Sequence, residues 1–162
     1  MKRLCAFCGS RSGIRPEYVA AARELGRCLA EAGHGLVYGG GRQGMMGAVA
    51  EAMLNAGGEA IGIVPAGLFG SQHVHPGLTE LREVSNMAER KSLMTELCDG
   101  FVALPGGLGT LDELFEMWAY RQLDLQPHPI GLLNTAGYYD QLIGFLDQTV
   151  TAGYVDSAHR DM

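Results

Sequence analysis

The sequence predicts an α/β fold, built as one Rossmann-like, doubly wound and mostly parallel sheet with helices on both faces. Short apolar runs alternate with longer helical patterns along the 162 residues, which is typical of successive βαβ units. The runs are nearly continuous in their apolar character, as in strands covered on both faces. The chain also contains 24 glycines, about twice the usual share of ~7%. Three glycine clusters follow predicted strands, at the sheet edge where this fold class binds ligands.

The first half of the chain contains three predicted strands and two predicted helices. The strands are expected at residues 3–8, 35–38 and 60–64, and the helices at residues 16–32 and from the glycine-rich segment 39–44 to residue 55. Pro16 suits a first helical turn because its missing N–H would be unpaired there. Pro65 is expected to stop the third strand.

The second half continues the same alternation after a loop rich in glycine and histidine that reaches Gly77. The remaining strands are expected at residues 78–84, 100–104 and 130–133, and the helices at residues 87–97, from the 105–110 segment to about 123, and 136–149. No repeat, low-complexity tract or linker divides the chain. Residues 1–162 are therefore expected to form one domain.

Composition and charge exclude several classes of function. The 12 basic and 18 acidic residues leave a net charge of −6, which argues against a nucleic-acid groove or an anionic membrane surface. The apolar stretches fall well short of the ~18 residues of a membrane span, and no export signal is expected before the first strand. Four cysteines are too few for a disulfide scaffold. We expect a cytoplasmic, reduced protein.

The strongest local motif is the segment Pro105–Thr110, with Asp112 and Glu113 behind it. A glycine turn between a strand and a helix lets an anion touch backbone N–H groups, and the helix dipole favours negative charge there. The segment therefore predicts a phosphate site. The alternative is a tight turn in which Thr110 caps the helix and Glu113 completes a capping box.

A second motif, G-x-G-x-x-G, is formed by Gly39, Gly41 and Gly44 between a strand and a helix. A dinucleotide site would need an acidic residue at the end of the next strand, but Glu59 stands at the start of that strand. Without that acidic residue, the sequence does not support a nicotinamide dinucleotide site. A Walker loop is also not predicted, because no glycine turn is followed by Lys-Ser or Lys-Thr. A mononucleotide phosphate or ribose site and simple packing glycines both stay open.

A third motif places two cations on a helix face. Met87, Arg90, Lys91 and Met94 share one side of the predicted helix. The alternative to a functional role is that the methionines are core residues while the cations extend to solvent. The spacing alone favours this alternative. The functional interpretation gains support because Lys2 and Lys91 are the two lysines of the chain and because the helix follows a strand at the ligand edge.

Other polar residues give weaker signals. Cys5 and Cys8 resemble half a zinc site, but on a strand they point to opposite faces and no second cysteine pair follows, so no metal site is predicted. Neither the histidines at 73 and 75 nor Cys98 have the partners that catalysis needs. Ser10, after the first strand, is either a phosphate or hydroxyl partner or a turn residue.

Together these motifs resemble one family, the LOG (Lonely Guy) cytokinin riboside 5'-monophosphate phosphoribohydrolases. The resemblance covers nearly the whole chain, and its blocks are Cys8–Ser10, Tyr38–Gly47, Met87–Lys91 and Pro105–Glu113. Relatives have often carried the label "possible lysine decarboxylase". That chemistry would need a lysine that forms a Schiff base with pyridoxal phosphate, and Lys91 is the sole realistic candidate.

The resemblance implies hydrolysis of the N-glycosidic bond of AMP or N6-modified AMP, without a metal or redox cofactor, to the free base and ribose 5-phosphate. It also implies a homodimer and makes Arg90 and Glu113 the catalytic pair. A carboxylate suits this reaction, because bond cleavage builds positive charge on the sugar. Arg90 could anchor the nucleotide, steady the leaving base or orient Glu113. The implied substrate-binding residues are Ser10, Gly40, Gly41, Met87, Lys91, Gly106, Gly107, Leu108, Gly109 and Thr110.

Three departures from the family pattern stand out. Ala88 occupies a position where many relatives have histidine, and Asn86 one where an acidic residue is common. Bacterial relatives usually continue into a C-terminal helix beyond the point where this sequence ends. A non-catalytic nucleotide sensor with the same phosphate loop is the alternative function, and repeated release of free base distinguishes the two.

Overall fold

A six-stranded parallel sheet forms the centre of the computed structural model, which describes residues 1–67 and 70–161. The strands are β1 (Arg3–Phe7), β2 (Gly35–Tyr38), β3 (Ala60–Pro65), β4 (Glu80–Val84), β5 (Gly100–Ala103) and β6 (Ile130–Leu132). Their order in the sheet is β4-β3-β2-β1-β5-β6, and neighbouring strands run parallel. The predicted α/β class is confirmed. Residues 68 and 69 of the predicted glycine- and histidine-rich loop, and residue 162 at the end of the predicted domain, lie outside the described residues.

The helices cover both faces of the sheet. They are α1 (Pro16–Glu31), α2 (Gly44–Asn55), α3 (Met87–Leu97), α4 (Leu108–Gln122), α5 (Asp140–Thr151) and α6 (Ser157–Arg160), with short 3₁₀ turns at Ser71–His73 and Thr135–Gly137. One core contains Ala6 with residues of α1 and α2, and the other contains Cys5 with residues of α3 and α4. Alternate side chains of β1 thus enter opposite cores, as a strand period of two requires.

Several boundaries differ from the prediction by one to four residues, and one strand is less buried than expected. Pro65 is the last residue of β3 and pairs with Val84, where a strand end tolerates its missing N–H. Val84 is the buried residue of β4, whose other four residues are exposed at the sheet edge. The helix predicted from residue 136 begins at Asp140, because Ala136 has a φ of 53° and Gly137 a φ of 74°. Neither angle fits a right-handed helix.

The strand order brings the glycine turns together at the carboxyl edge of the sheet. β1 lies between β2 and β5, so the turn after β1 contacts the turns after both neighbours. The backbone N–H of Gly9 donates to the Pro105 carbonyl at 3.3 Å, and the N–H of Met45 donates to the Gly9 carbonyl at 3.1 Å. Residues far apart in sequence therefore line one crevice.

Within residues 1–67 and 70–161, none of the helices has the length and apolar character that crossing a membrane requires.

Candidate functional site

Arg90 and Glu113 form a buried ion pair at the carboxyl edge of the sheet. Arg90 lies in the first turns of α3 and Glu113 in the second turn of α4. Nη1 of Arg90 is 2.6 Å from Oε1 of Glu113, and each side chain is only 10% exposed. Nε of Arg90 also donates to the Ile63 carbonyl at 3.0 Å. The alternative that Arg90 extends to solvent is therefore wrong.

Burial sets the protonation of this pair. Loss of water raises the pKa of Glu113, and the positive charges of Arg90 and Lys91 lower it, with a net upward shift. The guanidinium stays charged in proteins. The site thus holds a carboxylate of raised basicity beside a fixed cation in a nearly dry environment.

Asn86 explains why α3 begins where it does. Its side-chain oxygen accepts a hydrogen bond from the N–H of Glu89 at 2.9 Å, and the Glu89 carboxylate accepts one from the N–H of Ser85 at 2.8 Å. The first bond satisfies one of the backbone donors that a helix start leaves open, and the second ties the Glu89 side chain to the residue before the cap. Asn86, a departure from the family pattern, therefore caps the helix that carries Arg90.

Gly39 supplies the space that the Arg90 guanidinium occupies. A Cβ at position 39 would overlap Nη2 of Arg90 and would lie 3.1 Å from Sδ of Met46. Because the guanidinium is also held by Glu113 and the Ile63 carbonyl, it cannot move away without losing a buried partner.

Gly39→Ala is therefore expected to lower the activity of this site by about 10-fold or more, since small misplacements of positioned groups have effects of that order. The folded protein should persist with a lower melting temperature. The matched control is Gly57→Ala, which also adds one methyl group; position 57 has no atom within 4 Å of an added Cβ, although its φ of 77° adds local strain. Equal activity of Gly39→Ala and wild type would show that Arg90 is not held as described.

The N-terminus of α4 presents open backbone donors. Gly107 precedes the helix, and the N–H of Leu111 makes the first helical bond to its carbonyl at 3.1 Å. The N–H groups of Leu108, Gly109 and Thr110 come before that bond and are available to an anion. The capping-box alternative is wrong, because Thr110 lies inside the first turn and is buried.

Two tyrosines that the sequence analysis missed hold this segment in place. The Tyr138 hydroxyl donates to the Gly106 carbonyl, and the Tyr139 hydroxyl donates to the Leu104 carbonyl at 2.6 Å. Both follow the left-handed turn at residues 136 and 137. A pair of adjacent tyrosines gives no signal in sequence, because their partners are backbone atoms more than 30 residues away.

A cavity of about 90 Å³ lies next to Gly39. It is lined by Ser10, Gly39, Gly40, Gly41, Gln43, Met46, Val64, His73 and Val74. The residues 73–75 cross over the glycine turn: the N–H of Arg42 donates to the His73 carbonyl, and the N–H of His75 donates to the Gly40 carbonyl, each at 2.9 Å. Ligand pockets usually span about 300–1,000 Å³, so this cavity has room for only part of a ligand.

The remaining predicted site residues occupy different places. Nζ of Lys91 lies 2.8 Å from Oδ2 of Asp112 and also pairs with Glu116, so it faces carboxylates of α4. Met87 is the first residue of α3 and is 39% exposed. The other predicted residues form three groups: the Arg90–Glu113 pair, the cavity with Ser10, and the α4 N-terminus.

Known proteins resemble this chain over nearly its whole length. A probable cytokinin riboside 5'-monophosphate phosphoribohydrolase of Oryza sativa subsp. japonica is 48% identical over 99% of this chain and 71% of its own length. A cytokinin riboside 5'-monophosphate phosphoribohydrolase of the same organism is 44% identical over 95% of this chain and 64% of its own. The corresponding enzyme of Arabidopsis thaliana is 42% identical over 98% and 73%. The chain thus spans roughly two thirds of the length of these relatives.

Solved structures share the fold. The X-ray structure of TM1055, a structural-genomics target, matches with a TM-score of 0.72 at 26% identity, over 99% of this chain and 89% of that one. The molybdenum cofactor carrier protein of Chlamydomonas reinhardtii matches with a TM-score of 0.69 at 22% identity, over 91% and 85%. At that identity the match concerns the fold alone.

The family model described as "Possible lysine decarboxylase" matches residues 46–162. That match and the identities of 42–48% to the named relatives establish that this chain belongs to the LOG family.

Proposed function

We propose that the protein hydrolyses the N-glycosidic bond of adenosine 5'-monophosphate or its N6-modified forms, releasing the base and ribose 5-phosphate. The observation that carries this proposal is the buried pair of Arg90 and Glu113 one helical turn from open backbone donors. The names of the relatives, which describe phosphoribohydrolases of cytokinin riboside 5'-monophosphates, support the same reaction.

The 5'-phosphate is placed at the N-terminus of α4 in this proposal. The N–H groups of Gly109 and Thr110, with the helix dipole, favour a dianion there. Glu113 follows Gly109 by four residues, about 6 Å along the helix axis, so a bound phosphate would put the sugar beside the carboxylate. This arrangement makes the phosphate a requirement, and adenosine is expected to be a poor substrate.

Glu113 then acts on the sugar. Cleavage of the glycosidic bond builds positive charge on the ring, and a carboxylate in a nearly dry site stabilises that charge strongly. The Glu113 carboxylate can also accept a proton from the attacking water. Arg90 keeps the carboxylate ionised and oriented, and its remaining donors can stabilise negative charge on the departing base.

The residues do not fit the decarboxylase chemistry that the family label suggests. A Schiff-base lysine needs a neutral amine, which proteins obtain by lowering its pKa. Burial lowers the pKa of Lys91, but hydrogen bonds to Asp112 and Glu116 raise it more, with a net upward shift. Lys91 is thus held as a cation by two carboxylates, and we derive no step through pyridoxal phosphate.

We extend the proposal to assembly and location. Apolar side chains are exposed on α4 and just after it, namely Leu108, Phe115, Tyr120, Leu123 and Leu125. Contact between two copies of the chain could bury exposed apolar side chains such as these, which fits a homodimer. One domain over residues 1–162, a reduced cytoplasmic setting, and no role for nucleic acid complete the proposal.

A turnover assay tests the proposed activity. Purified protein is incubated with AMP or isopentenyladenosine monophosphate in excess, and free base is measured by chromatography. More than one base released per protein supports the hydrolase. Stoichiometric binding without release would instead identify a nucleotide sensor.

The activity is expected to fall on the acid side at a higher pH than an ordinary glutamate would give. Burial raises the pKa of Glu113, and Arg90 and Lys91 reverse this only in part. Since the proposed role needs the carboxylate, kcat/KM is lost as the pH falls through the raised pKa. The measurement is kcat/KM for AMP against pH. An acid limb at or below about 4.3, the ordinary glutamate value, would contradict this assignment.

A further inference from the structure

Lys91 belongs to a charge cluster that does not touch the cavity or the open donors of α4. Its side chain is only 12% exposed, although its two carboxylate partners, Asp112 and Glu116, are 59% and 27% exposed. These partners are four residues apart, so they lie on the same side of α4 one turn from each other. The ammonium group is therefore held between two successive turns of that helix.

The cluster runs directly alongside the Arg90–Glu113 pair. Consecutive residues of α3, Arg90 and Lys91, meet consecutive residues of α4, Asp112 and Glu113. The inner pair faces the crevice, and the outer contacts of Lys91 link the same two helices. Any change in the spacing of α3 and α4 at Lys91 must therefore alter the geometry of the inner pair.

We propose that Lys91 is a positioning residue: by pairing with Asp112 and Glu116, it fixes α4 against α3 and keeps the Glu113 carboxylate aligned on Arg90. This inference replaces the substrate-binding role that the family resemblance implied for Lys91. It rests on the proposed function for its kinetic consequences, but its structural part can be tested without any substrate.

The charge of Lys91 also reaches Glu113 without contact. The charged groups that act on this carboxylate are Arg90 and Lys91 from α3 and Asp112 from α4. The buried thiols of Cys5 and Cys8 are also near it, and its charge raises the pKa of each. Burial raises the pKa of Glu113, and the positive charge of Lys91 opposes that rise. Removing Lys91 is therefore expected to raise the pKa of Glu113 further.

The first arm of the test measures the pKa of Glu113 by NMR of its carboxyl carbon in the ligand-free protein. Lys91→Met should raise this pKa, whereas Lys91→Arg, which keeps the charge, should leave it near the wild-type value. Lys2→Met is the matched control, because Lys2 is exposed and lies far from Lys91 in the sequence. An unchanged pKa in folded Lys91→Met would overturn the proposal.

The second arm separates positioning from substrate binding. Lys91→Met should lower kcat for base release from AMP about 10-fold while KM changes less than about 2-fold, and Lys91→Arg should restore most of the loss. A raised KM with unchanged kcat would overturn the proposal in favour of direct phosphate binding.

The double variant Asp112→Asn with Glu116→Gln covers the case in which Lys91→Met fails to fold. It keeps Lys91 but removes both partners, so it should lower kcat about as much as Lys91→Met does and leave KM near the wild-type value. A wild-type kcat in this double variant would overturn the positioning role. If wild-type protein releases no base, the proposed function fails, and a crystal structure of Lys91→Met then decides the role of Lys91. An Arg90–Glu113 contact that stays at the wild-type 2.6 Å would overturn the positioning role.

Discussion

Replacing Glu113 with glutamine is expected to lower base release from AMP by about 10²-fold or more, the range typical of a lost acid–base group, while the protein remains folded. Glutamine has nearly the same shape and keeps an oxygen that can accept the hydrogen bond from Nη1 of Arg90. It lacks the negative charge that stabilises the sugar cation and cannot accept a proton from water. The loss should therefore appear in kcat more than in KM.

The measurement is steady-state base release by wild type and by Glu113→Gln, with a thermal melt of each. Glu51→Gln is the matched control, since Glu51 is exposed on α2 and should behave as wild type. Wild-type turnover by a folded Glu113→Gln variant would remove this carboxylate from the mechanism.

Replacing Arg90 with methionine is expected to abolish activity and also to destabilise the fold. Removing one partner of a buried ion pair leaves an unpaired charge, at a typical cost of about 3–5 kcal/mol. The Ile63 carbonyl would also lose the hydrogen bond from Nε. Arg90→Lys should recover only part of this loss, because one ammonium cannot reproduce the fork that contacts both partners.

The destabilisation of Arg90→Met should depend on pH in a defined direction. Without Arg90, burial raises the pKa of Glu113 above its value in the unfolded chain, so the folded state binds a proton more tightly. The free energy of unfolding should then increase as pH falls from above the folded pKa towards the unfolded value. Urea unfolding of Arg90→Met and wild type at neutral and mildly acidic pH checks this. The prediction would be contradicted if the difference between their free energies of unfolding does not become smaller at acidic pH.

Much of the fold follows from local patterns in the sequence. The six strands and the main helices lie within a few residues of the predicted positions, because apolar runs, glycine turns and helical periods agree with one another in this chain. β1 differs from its prediction by one residue, and α3 begins at the predicted Met87. The last long helix was misplaced at its start, since nothing in the sequence marks Ala136 as left-handed.

The site was predictable in part. The glycine turn before α4 and the cation pair on α3 are visible in sequence, and the strand order brings them together. The partners of Lys91, the tyrosines behind the 105–110 segment and the space that Gly39 leaves for Arg90 all depend on contacts between distant segments. Local patterns carry no information on such contacts, and the substrate-binding role of Lys91 is implied by the family resemblance alone.

A crystal structure of Glu113→Gln with bound AMP tests the central claim most directly, because that variant should bind the nucleotide without cleaving it. We predict that phosphate oxygens accept hydrogen bonds from the N–H groups at the start of α4. We also predict that the anomeric carbon of the ribose lies in contact with the side chain of residue 113, on the side that the Arg90 guanidinium leaves open. A nucleotide bound elsewhere, or with its sugar remote from both side chains, would contradict the account.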